Sequence, residues 1–459
     1  MYYSLTRRYA PAGITIRPSP VAPGGERRTA VPVPQRIVHE VNAVEFGEAT
    51  RYRQRRLVVG SDEVAAAFAD AALAAVRPHL ASPAERVRIV KPLDVVEPRS
   101  RGPEGGTFPG WLAPINRSRG GQTHVLRGAA VLAAGYLPRN QEGLVDMSGP
   151  AADLSPFSRT HNIVVEFDPA EDASWADVDA AVRRGLLRLA VHLADAAVDA
   201  EPDAVEDLAQ PHRAVDPTGG LPRVGAITNL QTQGAFKDVF VYGRSMAGSL
   251  PTLIDPAEVD DGAVVSGQYG HPALRNPTYV HQNHPVVAAL RARDGDDLRF
   301  AGLVLCPEPV EQAGKELMSE HAAWLCRAAG FDAVIVTKEG AGNADNDLAL
   351  KVDALEAAGV PAVPLYPELS GPDGTGPPLV AGPRRGSLVS TGNYDQRVSL
   401  PAVERALGGP RLDVADVEAT AAVEVPVATI LGALSPLGAG RFTCRSTPPQ
   451  EEPVQEGAA

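Results

Sequence analysis

Residues 298–365 alternate short apolar runs with helix-length stretches, and that rhythm restricts the fold more than any other feature of the chain. Runs at 298–306, 333–337 and 360–365 read as buried strands, and 310–329 and 345–358 read as the helices between them. Strands joined through helices by short connections pair in parallel, because a hairpin is too short to bring the chain back to the same end of a sheet. The crossovers are expected to be right-handed. Ligand sites in such sheets lie beyond the carboxyl ends of the strands. That edge here carries Pro307-Glu308, the run Lys338-Glu339-Gly340-Ala341-Gly342-Asn343, and Tyr366-Pro367-Glu368.

The whole chain reads as α/β, with a mixed α+β domain at 37–215 followed by a parallel-sheet βαβ domain at 216–445. Residues 1–36, rich in Pro, Arg and Gly, read as an extension, and the proline-rich acidic 446–459 as a disordered tail. In the first domain, Ser61 with Asp62 and Glu63 opens a helix whose apolar face is Val64, Phe68, Ala72 and Ala75, ended by Pro78. A second helix starts at the cap Ser174, with Asp177 three residues on, and carries the stripe Val178, Val182, Leu186, Leu189, Leu193. Strands are expected at 86–90, 124–132 and 162–167, joined through turn-rich 102–110 and 143–158. The second domain opens with strand-like 224–228, 239–242 and 262–265.

The formal net charge of −13 excludes a nucleic-acid binder and disfavours anionic membranes, since phosphates need a basic surface. No apolar run approaches the roughly 20 residues that cross a bilayer, and no signal-peptide pattern is present, so a cytoplasmic location is expected. Cys306, Cys326 and Cys444 are too far apart in sequence for a zinc set. They fit a reducing compartment, or one of them is a reactive thiol.

Three segments carry candidate chemistry. Residues 339–347 follow a strand and open a helix. They form either a tight turn capped by Asp345 or Asn343, or a substrate-facing loop including Glu339. Asp345 stands where a dinucleotide fingerprint needs its third glycine, so that ligand is excluded. Tyr279-Val-His281-Gln-Asn283-His284 offers His281 for proton transfer, for a metal that lacks a third ligand, or for structure alone. The paired amides Gln231 and Gln233 either orient a carboxylate or amide or close a turn. No nucleophile-elbow serine and no P-loop are present.

Many separated strings share one resemblance. They include Lys91-Pro-Leu-Asp94-Val-Val-Glu97-Pro-Arg99, Gly105-Gly-Thr-Phe108-Pro-Gly110 and Gln141-Glu142-Gly143-Leu-Val-Asp146-Met-Ser-Gly149. Pro156-Phe157-Ser158-Arg-Thr-His-Asn162, Asp261-Gly-Ala-Val-Val-Ser266-Gly267 and Asn276-Pro-Thr-Tyr279-Val-His281 continue it. Over roughly 40–430 the chain resembles the proprotein subunit of component B of the glycine, sarcosine and betaine reductases, a relative of the D-proline reductase proprotein.

In that family an Asn-Cys pair follows Val-Ser-Gly, and the cysteine marks where the chain splits and forms a pyruvoyl group. Here Gln268-Tyr269 replaces the pair, and Ala273 replaces a second cysteine. A tyrosine has no nucleophile on its β-carbon, so no pyruvoyl cofactor is expected and the altered loop 266–285 is expected to stay unbroken. The resemblance implies a selenocysteine- or cysteine-containing reductase partner, a thiol or selenol carrier protein, a small-molecule substrate and an oligomeric complex. The expected pocket joins the segment Gln268 to Asn276, with Tyr269 and His271, to Tyr279, His281, Asn283 and the loop Glu339 to Asp347, with Asn343 and Asp345. Tyr269 would supply a phenol hydrogen bond, and His271 or His281 would move protons. Two other functions stay open: a non-catalytic scaffold subunit, or an enzyme of specialised metabolism that reuses the pocket.

Overall fold

Strands and helices recur in the expected order through the second half of the chain. Arg299–Glu308, Ala333–Thr337 and Ala362–Glu368 are strands, and helices Gln312–Ala328 and Asn343–Ala357 connect them. This is a computed structural model, and it describes residues 33–115, 121–138, 140–208, 220–232, 238–267, 269–384, 388–438 and 443–445. The acidic tail, most of the N-terminal extension, Gln233 and Gln268 lie outside the described residues.

The seven-stranded sheet runs Thr252–Ile254, Arg299–Glu308, Arg223–Gln231, Ala333–Thr337, Ala362–Glu368, Leu388–Asn393, Thr443–Arg445. The five inner strands are parallel, as the connections require. The two outer strands are antiparallel, so the sheet is mixed at its edges rather than purely parallel. Alternation along each strand divides its side chains between two layers. Ile227, Val304, Cys306, Val334 and Val336 pack against Met318, Ala322 and Cys326 of one helix and Leu348 and Val352 of the next. Ala226, Leu230, Leu303 and Leu305 face the other way, onto Val286, Val287 and Leu290 of helix Pro285–Ala292.

Helix Trp175–Asp195 fills the core of the first half. Ser174 caps it, its hydroxyl oxygen accepting the Asp177 amide at 3.2 Å. Replacing Ser174 with Ala is expected to lower stability by about 1 kcal/mol, with Ser174→Asp near wild type, read as midpoints of chemical denaturation. An unchanged midpoint for the alanine would contradict the cap.

Two expected elements differ. The helix begun at Ser61 ends at Ala67, and Ala72 and Ala75 are not on its face. Asp70 instead turns the chain by accepting the Ala72 amide, and Leu73–Ala81 is a nine-residue strand. It pairs antiparallel with His161–Pro169 and is the edge of its sheet, where Pro78 needs no donor on its open side. Ser61 is the first helical residue, and Gly60 occupies the cap position. The single strand expected at 124–132 is two, Gln122–Arg127 and Ala129–Ala134, in different sheets. Gly128 makes the break at φ +91°, where a Cβ would also meet the Val41 carbonyl oxygen at 2.8 Å.

The chain also starts its first strand, Gln35–Glu40, inside the stretch read as an extension. Late segments return to early ones. Strand Arg405–Leu407 pairs in parallel with Val87–Val90. The buried Arg88 guanidinium pairs with both Asp146 oxygens and donates to the carbonyls of Pro401, Ala419 and Ala421.

Candidate functional site

At the carboxyl edge of the parallel strands, Glu339 follows strand Ala333–Thr337 and is fully buried. Its Oε2 accepts the Gln231 backbone amide at 2.8 Å, from the end of strand Arg223–Gln231. Its Oε1 lies 3.1 Å from His281 Nε2 and 3.4 Å from Asn276 Nδ2. His281 is carried by the short helix Thr278–Gln282 and is 1% exposed. A carboxylate accepts only, so Nε2 donates to it, and the buried Nδ1 has no hydrogen-bond partner. Gly340 has φ +69°, and a Cβ there would lie 3.4 Å from the Gln231 amide nitrogen; the glycine lets the loop turn beside that side chain.

The helix-facing side of the same edge is charged. Lys338 pairs with Asp345, and Lys315 pairs with Asp347. Asp345 does not cap the helix from outside, and neither does Asn343. Gly342 is the cap residue, and the Asp345 carboxylate accepts its amide at 3.2 Å. Asn343 is exposed and donates to the Val310 carbonyl. Glu308 ends strand Arg299–Glu308. Burial, then Asp347 and Glu339, push its carboxyl well above the usual range. Burial also raises the Cys306 thiol despite Lys351 beside it, and pushes Cys326 up to about 12. Neither thiol has the exposed, electropositive setting of a reactive cysteine.

Tyr269 sits elsewhere, 2% exposed, in the core with helix Trp175–Asp195. Arg183 Nη2 donates to its phenol oxygen at 3.3 Å. The same guanidinium pairs with Asp179 and lies 4.4 Å from the Phe240 ring centroid. Burial holds the Tyr269 phenol well above its ordinary value. Its carbonyl accepts from Gln141 N at 3.1 Å and from the Arg275 guanidinium. Burial lowers Arg275 to about 10. Beneath it, Asp94 accepts the Thr278 amide at 2.8 Å and hydroxyl at 2.7 Å, and burial raises its carboxyl. Residue 269 supplies a packed ring, and its own carbonyl is already held by two donors.

The expected pocket is therefore distributed. Glu339, His281 and the Gln231 backbone come together, with Asp345 on the neighbouring side of the strand end. Tyr269 belongs to the Arg183 core. Tyr279 and Asn283 join Glu97 and Arg99: Asn283 donates to Glu97 at 3.0 Å and accepts from Arg99 at 2.7 Å. Burial, then Glu97, raises the Tyr279 phenol. His271 is left-handed at φ 44° and meets the Tyr394 hydroxyl at 3.1 Å. Sequence reasoning placed Glu308 and Lys338 at the strand ends without a role, included Asn276 in the expected pocket, and missed Lys315 and Arg183. The charged ends of otherwise apolar strands were the readable signal. Arg183 gave none, because it occupies an ordinary position on an amphipathic helix.

Residues 35–428 match the family described as glycine/sarcosine/betaine reductase component B subunits. The chain belongs to this family. The match runs from the first strand, Gln35–Glu40, to beyond strand Ala362–Glu368. The chain is 34% identical over 420 residues to the glycine reductase complex component B subunits alpha and beta of Acetoanaerobium sticklandii, covering 88% of this chain and 98% of that one. It is 36% identical over 420 residues to the protein of the same description from Peptoclostridium acidaminophilum, covering 88% and 97%. The sarcosine reductase complex component B subunit alpha of the latter organism is 34% identical over 373 residues, covering 80% and 87%. No solved structure matches. Among the described residues, no helix is long and apolar enough to cross a membrane.

Proposed function

We propose that this chain is an unsplit, pyruvoyl-less component B-like subunit of a reductase complex, acting on a small amino compound with a selenol or thiol partner. Its relatives are named as components of glycine, sarcosine and betaine reductase complexes. Two of those names give subunits alpha and beta for one chain of matching length, as expected of a precursor that splits. The observation that carries the reading is Tyr269. Its ring fills the core at the position where the family resemblance puts the processing cysteine, and Arg183 holds its hydroxyl.

Without a carbonyl to condense with, the amine is handled as an ammonium. The partner's selenolate or thiolate attacks the carbon bearing nitrogen. A C–Se or C–S bond forms, the C–N bond breaks, and neutral amine leaves with the bonding pair. His281, oriented by Glu339 through Nε2, presents Nδ1 to an ammonium N–H and keeps the nitrogen protonated before cleavage. The buried Cys306 and Cys326 thiols fit a reducing cytoplasm.

Intact-protein mass spectrometry is expected to show one species at the full 48.1 kDa, unreactive to hydrazine and borohydride. Two fragments meeting near residue 268, or a hydrazone adduct, would overturn the reading. Co-purification with a selenocysteine- or cysteine-bearing reductase subunit tests the complex.

A further inference from the structure

Helix Gln312–Ala328 buries Met318, Ala322 and Cys326 against the parallel sheet and the neighbouring helix. Residues three or four apart share one side of a helix, so a second stripe runs along the opposite side: Ala313, Leu317, Glu320, His321, Trp324 and Ala328. All six are exposed. Leu317 is 46% and Trp324 66% exposed, and among the described residues no aromatic side chain is more open to water. A large indole outside the core, at helical spacing from a leucine, marks a contact surface, because tryptophan is the residue that anchors interfaces most strongly.

The order of residues along the stripe selects the partner. Reversal about the point midway between Glu320 and His321 exchanges Leu317 with Trp324 and Ala313 with Ala328. Two copies of the helix laid antiparallel across a two-fold axis at that point set each Trp324 on the Leu317 of the other copy. Small alanines then meet at both ends, where they let the helices approach. Each contact is made twice, as an isologous interface requires. The charges agree with the same order. At about 1.5 Å per residue, Glu320 stands level with His321 of the second copy, and Glu316 lies within about 3 Å along the axis of Arg327 of the second copy. A parallel pair would instead put Trp324 on Trp324 and bring Glu316 and Glu320 level with themselves.

We propose that the outer face of helix Gln312–Ala328 is a homodimer interface, formed by antiparallel packing of this helix on its copy with Trp324 as the anchor. A standard interface buries about 800 Å² per partner, and one helix pair supplies less, so association is expected to be weak and to depend on concentration. The surface is independent of the function proposed above.

Sedimentation velocity of the full chain, without other subunits, tests the interface from about 1 to 100 µM. The wild type is expected to move from 48.1 kDa toward twice that mass over this range. Trp324→Lys and Leu317→Lys are expected to stay monomeric with unchanged denaturation midpoints, since both side chains lie outside the core. Glu316→Arg and Arg327→Glu are each expected to weaken the dimer about 10-fold, and the chain carrying both to recover it, because the exchanged charges meet again across the axis. A monomer at every concentration would overturn the proposal, and so would a dimer that survives both lysine variants. Loss of the dimer in the double charge variant would overturn the antiparallel order. A monomer that takes up a purified reductase subunit through Trp324 would overturn the second copy as the occupant.

Discussion

Replacing His281 with Gln is expected to cut turnover of the reconstituted complex by about 10²-fold or more while leaving the fold intact. The glutamine amide can still donate to Glu339, so the buried carboxylate keeps a partner. What is lost is the second ring nitrogen, the one atom of the pair free to face a substrate proton. His281→Ala is a harsher change, because it removes one donor from a fully buried carboxylate that then keeps only the Gln231 amide and Asn276, a loss of about 1–3 kcal/mol. The two variants separate the roles. If only stability changes, and only in the alanine, His281 is a structural partner of Glu339. If turnover falls in both, with KM for the amine rising alongside, it contacts substrate. Near wild-type turnover for His281→Gln would remove it from the site.

The second large effect is expected at Tyr269. Tyr269→Ala should destabilise the protein by about 3–5 kcal/mol, the cost of emptying an aromatic position in a close-packed core. It would also leave the Arg183 guanidinium, already buried and paired with Asp179, beside an unfilled space. Tyr269→Phe keeps the ring and drops one hydrogen bond, so a loss of about 1 kcal/mol is expected. Denaturant midpoints measure both. A phenylalanine variant with normal stability and strongly reduced turnover would show that the phenol touches substrate, and the packing role would then be secondary. Equal, small effects of both substitutions would mean that the ring does not fill the core.

Local sequence carried much of this protein. The three apolar runs after residue 298 could only be parallel strands, because helix-length segments separate them, and that placed Glu308, Lys338 and Glu339 at one edge. Ser174 and Asp177 announced their helix through a contact three residues apart. The family strings, spread from Lys91 to His281, were equally plain.

Where sequence failed, the deciding contact was distant. Residues 64–78 are alanine-rich, and their few large apolar residues, Val64, Phe68, Leu73 and Val76, do not separate a helix from a strand. Pairing with His161–Pro169 made Leu73–Ala81 a strand. His281 and Glu339 are 58 residues apart, and only the packing of helix Thr278–Gln282 onto the sheet edge brings the imidazole to the carboxylate. The same packing sends Tyr269 into the Arg183 core and Asn283 to Arg99, although both are close to His281 in sequence. Periodicity and turn chemistry act over a few residues, so the chain alone determined its strands, their direction and the edge where polar groups collect. Which of those groups meet is set by burial, since a charge removed from water must find its partner wherever the fold puts one.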